Sequence, residues 1–132
     1  MLIRPHRFHG YNSLRGVYGR GQTVRAALLS LKYFNRGGDR PYRAAVVVSR
    51  KVNKSAVVRN RIRRRIYEII RQQDRQLPPG LDLVFTAFGD ELASLEPKRL
   101  EGVVAGLLQK AAQATGSQES DGPRDIVKPK GN

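Results

Sequence analysis

The sequence contains no cysteine, no tryptophan and only one methionine. The absence of cysteine excludes disulfides and cysteine-based zinc sites. No stretch approaches the roughly 18–20 apolar residues that a membrane span needs. The first ten residues also lack the apolar run of a secretory signal. We therefore expect a cytoplasmic protein that does not enter a membrane.

Acidic residues are scarce in the first part of the chain. Residues 1–75 hold 19 Lys and Arg against 3 Asp and Glu, whereas residues 76–132 hold 6 and 8. The net charge is +14 and the isoelectric point is about 11.1, which is typical of a nucleic-acid-binding protein. An anionic membrane is the alternative partner. It would favour an amphipathic basic helix with bulky apolar anchors or a lipid signal, and no lipidation motif is visible.

The 132 residues fit one domain, and 39% of them are hydrophobic, enough for a core. Hydrophobic periodicity predicts a helix, two strands, a helix, a strand and a helix. These elements are a short helix after Asn12, a hairpin of strands over 26–34 and 42–49, a helix over 55–71, a strand over 81–88 and a helix beginning at Pro97. The order predicts an α+β fold, a small central sheet with helices packed on it. We expect an irregular arm over 1–10, the domain over 11–112 and a disordered tail over 113–132.

The segment over 50–65 carries eight basic residues and no acid. Apolar residues from Val58 to Ile70 form one stripe of the predicted helix, so most of the arginines fall on other sides. Arg61 and Arg65 are like charges one turn apart, which is unfavourable unless an anion is bound nearby. A solvated charged face is the alternative, but such faces mix both signs, and no acid appears here before Glu68.

The same segment resembles the signature of the bacterial ribonuclease P protein family. That signature is a Ser-Lys-Lys-Val strand end, a short turn, and then Ala-Val-x-Arg-Asn-Arg-Ile-Lys-Arg. Residues 49–64 follow it, with Arg50 and Arg63 where lysine is common. Residues 14–21 resemble the family's Phe-x-x-Val-Phe-x-x-Gly opening, with Leu14 in place of the first aromatic, and residues 79–84 resemble its Pro-x-Gly-x-Asp motif.

The resemblance covers roughly residues 4–112 and implies a role and a fold. Such proteins pair one-to-one with a large catalytic RNA and promote endonucleolytic removal of the 5′ leader from precursor tRNA. The RNA holds Mg²⁺ and performs the hydrolysis, so the protein is a subunit of an endoribonuclease without catalytic residues of its own. The family also has a left-handed β-α-β crossover, an exception to the usual handedness.

Two sets of site residues follow from the resemblance and from the basic and aromatic pattern. Residues expected to contact the catalytic RNA are Arg50, Lys51, Lys54, Arg59, Asn60, Arg61, Arg63 and Arg64. Residues expected to line a cleft for the single-stranded leader are Leu14, Arg15, Val17, Tyr18, Tyr33 and Tyr42. Single strands bind to aromatic platforms beside basic grooves, although each aromatic could equally belong to the core. No metal site is assigned, because His6 and His9 have no carboxylate near them in the sequence.

Two other classes of protein remain open on this pattern. A ribosomal or other structural RNA-binding protein could have the same size and charge, but it would need no single-strand cleft on the sheet. A protein-only nuclease would need an acidic cluster to hold metal ions, and the sequence offers none.

Overall fold

The protein is built around one four-stranded sheet with α-helices on both of its faces. The computed structural model describes residues 2, 4–8 and 11–121. Its main elements are α1 (Tyr11–Arg20), β1 (Gln22–Arg25), β2 (Leu29–Asn35), β3 (Arg43–Val47), α2 (Ala56–Gln72), β4 (Leu81–Ala87) and α3 (Pro97–Asp121). Short 3-10 helices lie at Arg4–His6, Asp74–Gln76 and Asp90–Ala93. Within the described residues, no helix combines the length and the apolar character that crossing a membrane requires.

The strand order is β1-β2-β4-β3. β2 pairs antiparallel with β1 and β4, whereas β3 pairs parallel with β4, so β3, α2 and β4 form a β-α-β crossover. The predicted α+β class with a small central sheet is confirmed. The left hand of the crossover stays a prediction.

The predicted hairpin between strands 26–34 and 42–49 is wrong, because β4 lies between them. Residues 81–85 are all buried, and a strand that is buried on both faces is stabilised by neighbours on both sides. The hairpin is instead formed by β1 and β2, which are joined by a turn closed by the 2.8 Å bond from Ala26 N to Leu29 O. Periodicity missed β1 because its four residues are mostly polar and exposed.

One face of the sheet, which we call the core face, packs against α2 and α3. Its residues alternate with those of the other face. It carries Leu29, Leu31 and Tyr33 of β2, Ala44 and Val46 of β3, and Leu81, Leu83, Phe85 and Ala87 of β4. The predicted apolar stripe of α2 supplies Ile62 and Ile66 to this core. Ser55 caps this helix, since its Oγ accepts a hydrogen bond from Val58 N at 3.3 Å.

The opposite face, which we call the α1 face, carries the other set of alternating residues. These are Ser30, Lys32 and Phe34 of β2, Arg43, Ala45 and Val47 of β3, and Asp82, Val84 and Thr86 of β4. Gly21 lets α1 end directly against β2, because a Cβ there would lie 2.6 Å from Val17 O and 2.8 Å from Tyr33 O. Val17 and Val84 are buried outside the main core cluster, so α1 has its own small apolar contact with the sheet.

The first described residues pack against the β3 side of the sheet rather than forming the irregular arm that the sequence predicts. Leu2 is buried in the core, and Arg7 makes a parallel bridge with Ala44. The His6 ring stacks on Tyr42 at 3.9 Å, and His6 Nδ1 lies 2.9 Å from Tyr42 O. His9 lies outside the described residues. From the helix side, Tyr67 Oη accepts a 3.0 Å hydrogen bond from Val46 N of β3.

The last helix begins at Pro97, as predicted, but runs further than predicted. α3 continues to Asp121 and so includes residues 113–121, where the sequence predicts a disordered tail. Ala111 packs in the core and Ala114 packs against it, so this part of the helix still has an apolar contact. The rest of the predicted tail, residues 122–132, lies outside the described residues.

Asp82 is buried on the α1 face, on the side of β4 that points away from the main core. Its side chain is only 3% accessible and accepts charge-assisted hydrogen bonds from two arginines. Arg36 Nε donates to Oδ1 at 2.7 Å, and Arg43 donates through Nε at 2.9 Å and Nη2 at 2.7 Å. The hydrogen bond to Asp82 raises the pKa of Arg43. The carboxylate thus ties β4 to β3 and to the segment after β2.

We expect Asp82→Ala to lower the free energy of unfolding by about 3 kcal/mol, because it leaves two partly buried guanidinium groups without their counter-charge. Urea unfolding followed by circular dichroism measures the change. The matched control is Asp39→Ala, which removes an exposed carboxylate from the β2–β3 connection and should stay within about 0.5 kcal/mol of the original. Equal stability of the two variants would show that the ion pairs are dispensable.

Candidate nucleic-acid interface

The outward side of α2 is a basic surface that the core leaves free. Arg61, Arg64 and Asn60 are exposed and Arg63 is half-buried, while Ile62 and Ile66 of the same helix are buried against the sheet. Asn60 Oδ1 accepts a hydrogen bond from Arg63, which orients both side chains along the helix. We call the four polar residues, 60, 61, 63 and 64, the basic face of α2. They can offer arginine forks to phosphates and one amide to a hydroxyl or a base edge.

Residues 50–54, which we call the basic turn, lead from β3 into α2. Arg50, Lys51 and Lys54 are exposed there. Asn53 fixes the shape of the turn, since its Oδ1 accepts from Ser55 N at 2.8 Å and its Nδ2 donates to Asp90 Oδ2 at 3.1 Å. The basic turn and the basic face of α2 therefore present their cations from a fixed backbone.

Ion pairs do not neutralise these two surfaces. In the part of the chain that the structure describes, the ion pairs are Arg36–Asp82, Arg43–Asp82 and Arg71–Glu68. The last of these lowers the pKa of Glu68 through the hydrogen bond from Arg71, at the far end of α2. The field over residues 50–64 is therefore strongly positive and favours an anionic partner.

Arg59 and Arg65 differ from their neighbours because they bind backbone carbonyls. Arg59 Nη1 donates to Asn53 O at 3.0 Å and to Lys54 O at 2.9 Å, so it holds the basic turn against α2. Its predicted contact with RNA stays a prediction beside this structural role. Arg65 donates to Leu92 O at 2.7 Å and to Leu95 O at 2.5 Å, which ties α2 to the segment before α3.

On the other side of the sheet, α1 and β2 bring aromatic and basic side chains together. Tyr18 is 45% exposed, and Lys32 Nζ lies 5.9 Å from the centre of its ring. Arg20 Cζ lies 4.6 Å above the ring of Phe34. Two glycines of α1 leave a shallow depression of about 440 Å³ between Arg15 and Arg20. We call this surface of α1 and β2 the α1 groove, and its residues are Arg15, Tyr18, Arg20, Lys32 and Phe34.

The structure does not place all the predicted cleft residues in the α1 groove. Arg15 and Tyr18 lie there, whereas Leu14 is half-buried on α1 and Val17 is buried beneath it. Tyr33 lies on the core face, 7% exposed, and its hydroxyl donates to Gln22 Oε1 at 3.1 Å. Tyr42 precedes β3 at the other side of the sheet and is 3% exposed.

These two tyrosines are core residues by packing and by chemistry. Burial raises the pKa of the Tyr33 hydroxyl. Burial raises the pKa of Tyr42 further, together with the hydrogen bond that its hydroxyl donates to Asp74. Phe34 and Lys32 occupy the groove instead, because they alternate with Tyr33 along β2. The alternation of side chains along a strand could have identified them, since Lys32 and Phe34 must lie on one face of β2 and Tyr33 on the other.

The described residues give no sign of a protein metal centre. No group of three or more His, Asp or Glu side chains comes together in residues 2, 4–8 and 11–121. Asp82, the buried carboxylate of the α1 face, is already bound by two arginines.

The fold and surface define a class: a small basic α+β protein with cationic surfaces on α2 and a mixed aromatic and cationic groove on α1. A family model described as Ribonuclease P matches residues 2–112. The chain therefore belongs to the ribonuclease P protein family.

Individual relatives and solved structures agree with that family. The chain is 38% identical over 114 residues to the ribonuclease P protein component of a Synechococcus species, covering 84% of this chain and 85% of that protein. It is 34% identical over 125 residues to the same component of Roseiflexus castenholzii, covering 94% and 100%. The RNase P protein of Thermotoga maritima has the same fold, with a TM-score of 0.69 at 21% identity over 79% of this chain and 96% of that one. The Staphylococcus aureus protein gives 0.70 at 20% identity, covering 82% and 96%.

Alanine variants of Arg61 and Arg65 should distinguish an arginine that binds RNA from one that stabilises the fold. Arg61→Ala should leave stability within about 0.5 kcal/mol of the original. It should also weaken the salt dependence of RNA binding. The slope of log binding constant against log salt concentration should become shallower by about 0.9 or less for each phosphate that the side chain neutralises. Arg65→Ala should lower the free energy of unfolding by about 1–3 kcal/mol, because two carbonyls are left without their donor, and leave the slope unchanged. Urea unfolding measures the stability of each variant, and RNA titrations at several salt concentrations measure its slope. A destabilised Arg61→Ala with an unchanged slope, together with a fully stable Arg65→Ala with a shallower slope, would refute these two roles.

Proposed function

We propose that this chain is the protein subunit of ribonuclease P and that it binds both the catalytic RNA and the 5′ leader of precursor tRNA. In this role it promotes endonucleolytic removal of the leader, which leaves the mature 5′ end of the tRNA. Family membership over residues 2–112 supports the enzyme complex. The division of its surface into two cationic regions on different helices supports two RNA contacts.

The α1 groove is the observation that carries the leader assignment. A single strand exposes the faces of its bases, which stack on aromatic rings, and its phosphates attract neighbouring cations. Tyr18 offers an exposed ring beside Lys32, and Arg20 lies next to Phe34. A structural RNA-binding protein that contacts only folded RNA would have no use for such a groove.

We assign the catalytic RNA to the basic face of α2 and the basic turn. Arginine forks match the geometry of phosphate oxygens, and the three exposed cations of the basic turn extend the surface towards β3. A folded RNA presents phosphates and 2′-hydroxyls over a broad area, which fits a surface spread over a helix and a turn. Asn60 can bind a 2′-hydroxyl or a base edge there.

The chemistry belongs to the RNA in this proposal. Mg²⁺ is held mainly by the RNA, and it supplies the activated water and the stabilisation of the leaving group. The protein contributes positive charge that offsets repulsion between the catalytic RNA and its substrate, and it positions the leader. We propose one protein per RNA, in the cytoplasm, with no membrane contact.

The direct test is cleavage of precursor tRNA at low Mg²⁺ by a bacterial ribonuclease P RNA, with and without the protein. We expect the protein to stimulate cleavage, since its cations replace part of the screening by Mg²⁺, and we expect no cleavage by the protein alone. Tight RNA binding without stimulation would favour a structural RNA-binding protein. Cleavage by the protein alone would favour a protein-only nuclease.

Tyr18→Ala should weaken binding of precursor tRNA to the holoenzyme by about 1–3 kcal/mol, the range for removing one base-stacking ring. Binding of mature tRNA, which has no leader, should be unchanged. Tyr18→Phe keeps the ring and is the matched control, so it should bind like the original protein. Equal reductions for precursor and mature tRNA would remove Tyr18 from the leader site.

A further inference from the structure

Phe88 is an exposed aromatic residue at the end of the central strand. Its side chain is 56% exposed, although the preceding residues of β4 from Leu81 to Phe85 are all buried. Its backbone is fixed, because Phe88 N donates to Leu28 O at 2.9 Å and so continues the pairing of β4 with the β1–β2 hairpin. The ring is therefore held at a defined place on the surface.

The alternation of β4 places this ring on the α1 face. Asp82, Val84 and Thr86 lie on that face, and Phe88 is the next residue in the same series. Four residues along a strand separate Phe88 from Val84, or about 13 Å. Val84 is paired with Lys32, which lies beside Tyr18. Tyr18 and Phe88 are thus two exposed rings on one side of the sheet.

The basic turn lies next to Phe88. β3 and β4 run parallel with Val47 opposite Thr86, so the same register extended by two residues sets Ser49 beside Phe88. Arg50 and Lys51 follow directly. The hydrogen bond from Asn53 to Asp90 joins the turn to the segment just after Phe88, in which the Glu91 carboxylate lies beside Gly89.

These neighbours select one class of ligand. The exposed large apolar side chains among the described residues are Tyr18, Val57 and Phe88, which are single residues rather than one broad patch. A docking protein would need a continuous apolar area, whereas an unpaired base needs one ring and adjacent cations for its phosphates.

We propose that Phe88 is a second stacking platform, on which an unpaired base of single-stranded RNA lies while the basic turn binds the flanking phosphates. This inference rests on the proposed function, because it extends the path of the leader from the α1 groove along the sheet to the end of β4. Arg50 and Lys51 then lie between the two RNAs, because the basic turn is also part of the surface assigned to the catalytic RNA. Stacking depends on the ring and little on base identity, so the contact is tolerant of leader sequence.

The test is binding of a fluorescent single-stranded RNA and of precursor tRNA to the full chain and its holoenzyme, over a range of salt concentrations. Phe88→Ala should weaken binding by about 5- to 150-fold, the effect of unstacking one base, with an unchanged salt slope because the ring neutralises no phosphate. Phe88→Tyr should bind like the original. Phe88→Leu should behave like Phe88→Ala, since it is apolar but has no ring.

Two controls keep the outcome specific. Val57→Ala removes another exposed apolar side chain and should have no effect. In an RNA series with one abasic position at a time, one position should reduce affinity for the original protein and cause no further reduction with Phe88→Ala.

The proposal for Phe88 is overturned if Phe88→Ala or Phe88→Leu binds RNA like the original protein. It is also overturned if every abasic position reduces the affinity of Phe88→Ala as much as that of the original protein. If Tyr18→Ala still weakens leader binding in that case, the proposed function stands without Phe88. If the original protein neither binds the single strand nor stimulates cleavage, the proposed function itself fails.

Discussion

The sheet depends on β4, which is buried on both faces and pairs with strands on both sides. Its odd-numbered residues pack against α2 and α3, and its even-numbered residues lie under α1 and beside the arginines of the α1 face. A strand whose residues are buried on both faces needs a partner on each side, so β2 and β3 separate to receive it. The crossover through α2 follows, because a parallel neighbour requires a connection that returns to the same end of the sheet. The basic surface of α2 therefore lies on the crossover connection between β3 and the central strand β4.

The two faces of the sheet have different chemistry for the same structural reason. The core face is closed by two helices, and its polar groups, such as the hydroxyls of Tyr33 and Tyr42, are hydrogen-bonded within the protein. The α1 face is covered by one short helix and retains Lys32, Phe34 and Arg43 at half-buried positions. A surface that keeps rings and cations close to solvent is suited to a flexible, charged ligand. The core face, by contrast, is covered by α2 and α3.

Local patterns in the sequence predicted the features that depend on near neighbours. The apolar stripe of α2, the start of α3 at Pro97 and the extent of β4 all follow from spacing within a few residues. The hairpin was wrong because strand order depends on pairing between distant segments, and adjacent strands in the sequence usually pair. Tyr33 and Tyr42 were misplaced for a related reason, since composition shows that an aromatic is present but not which face it occupies. The partners of Asp82 and Arg65 lie 27 to 46 residues away in the sequence, beyond the reach of any local pattern.

The contacts along the outer side of β3 bear on how the sheet avoids pairing with other chains. β3 is the outermost strand on its side, and an outer strand with free N–H and C=O groups invites pairing with another chain. Here Arg7 bridges to Ala44, His6 binds Tyr42 O and the Tyr67 hydroxyl takes the N–H of Val46. At the opposite side, β1 has only four residues, most of them exposed and polar. Both margins of the sheet thus discourage strand-to-strand aggregation, and mutual repulsion between highly cationic chains adds to that protection until an anionic partner neutralises it.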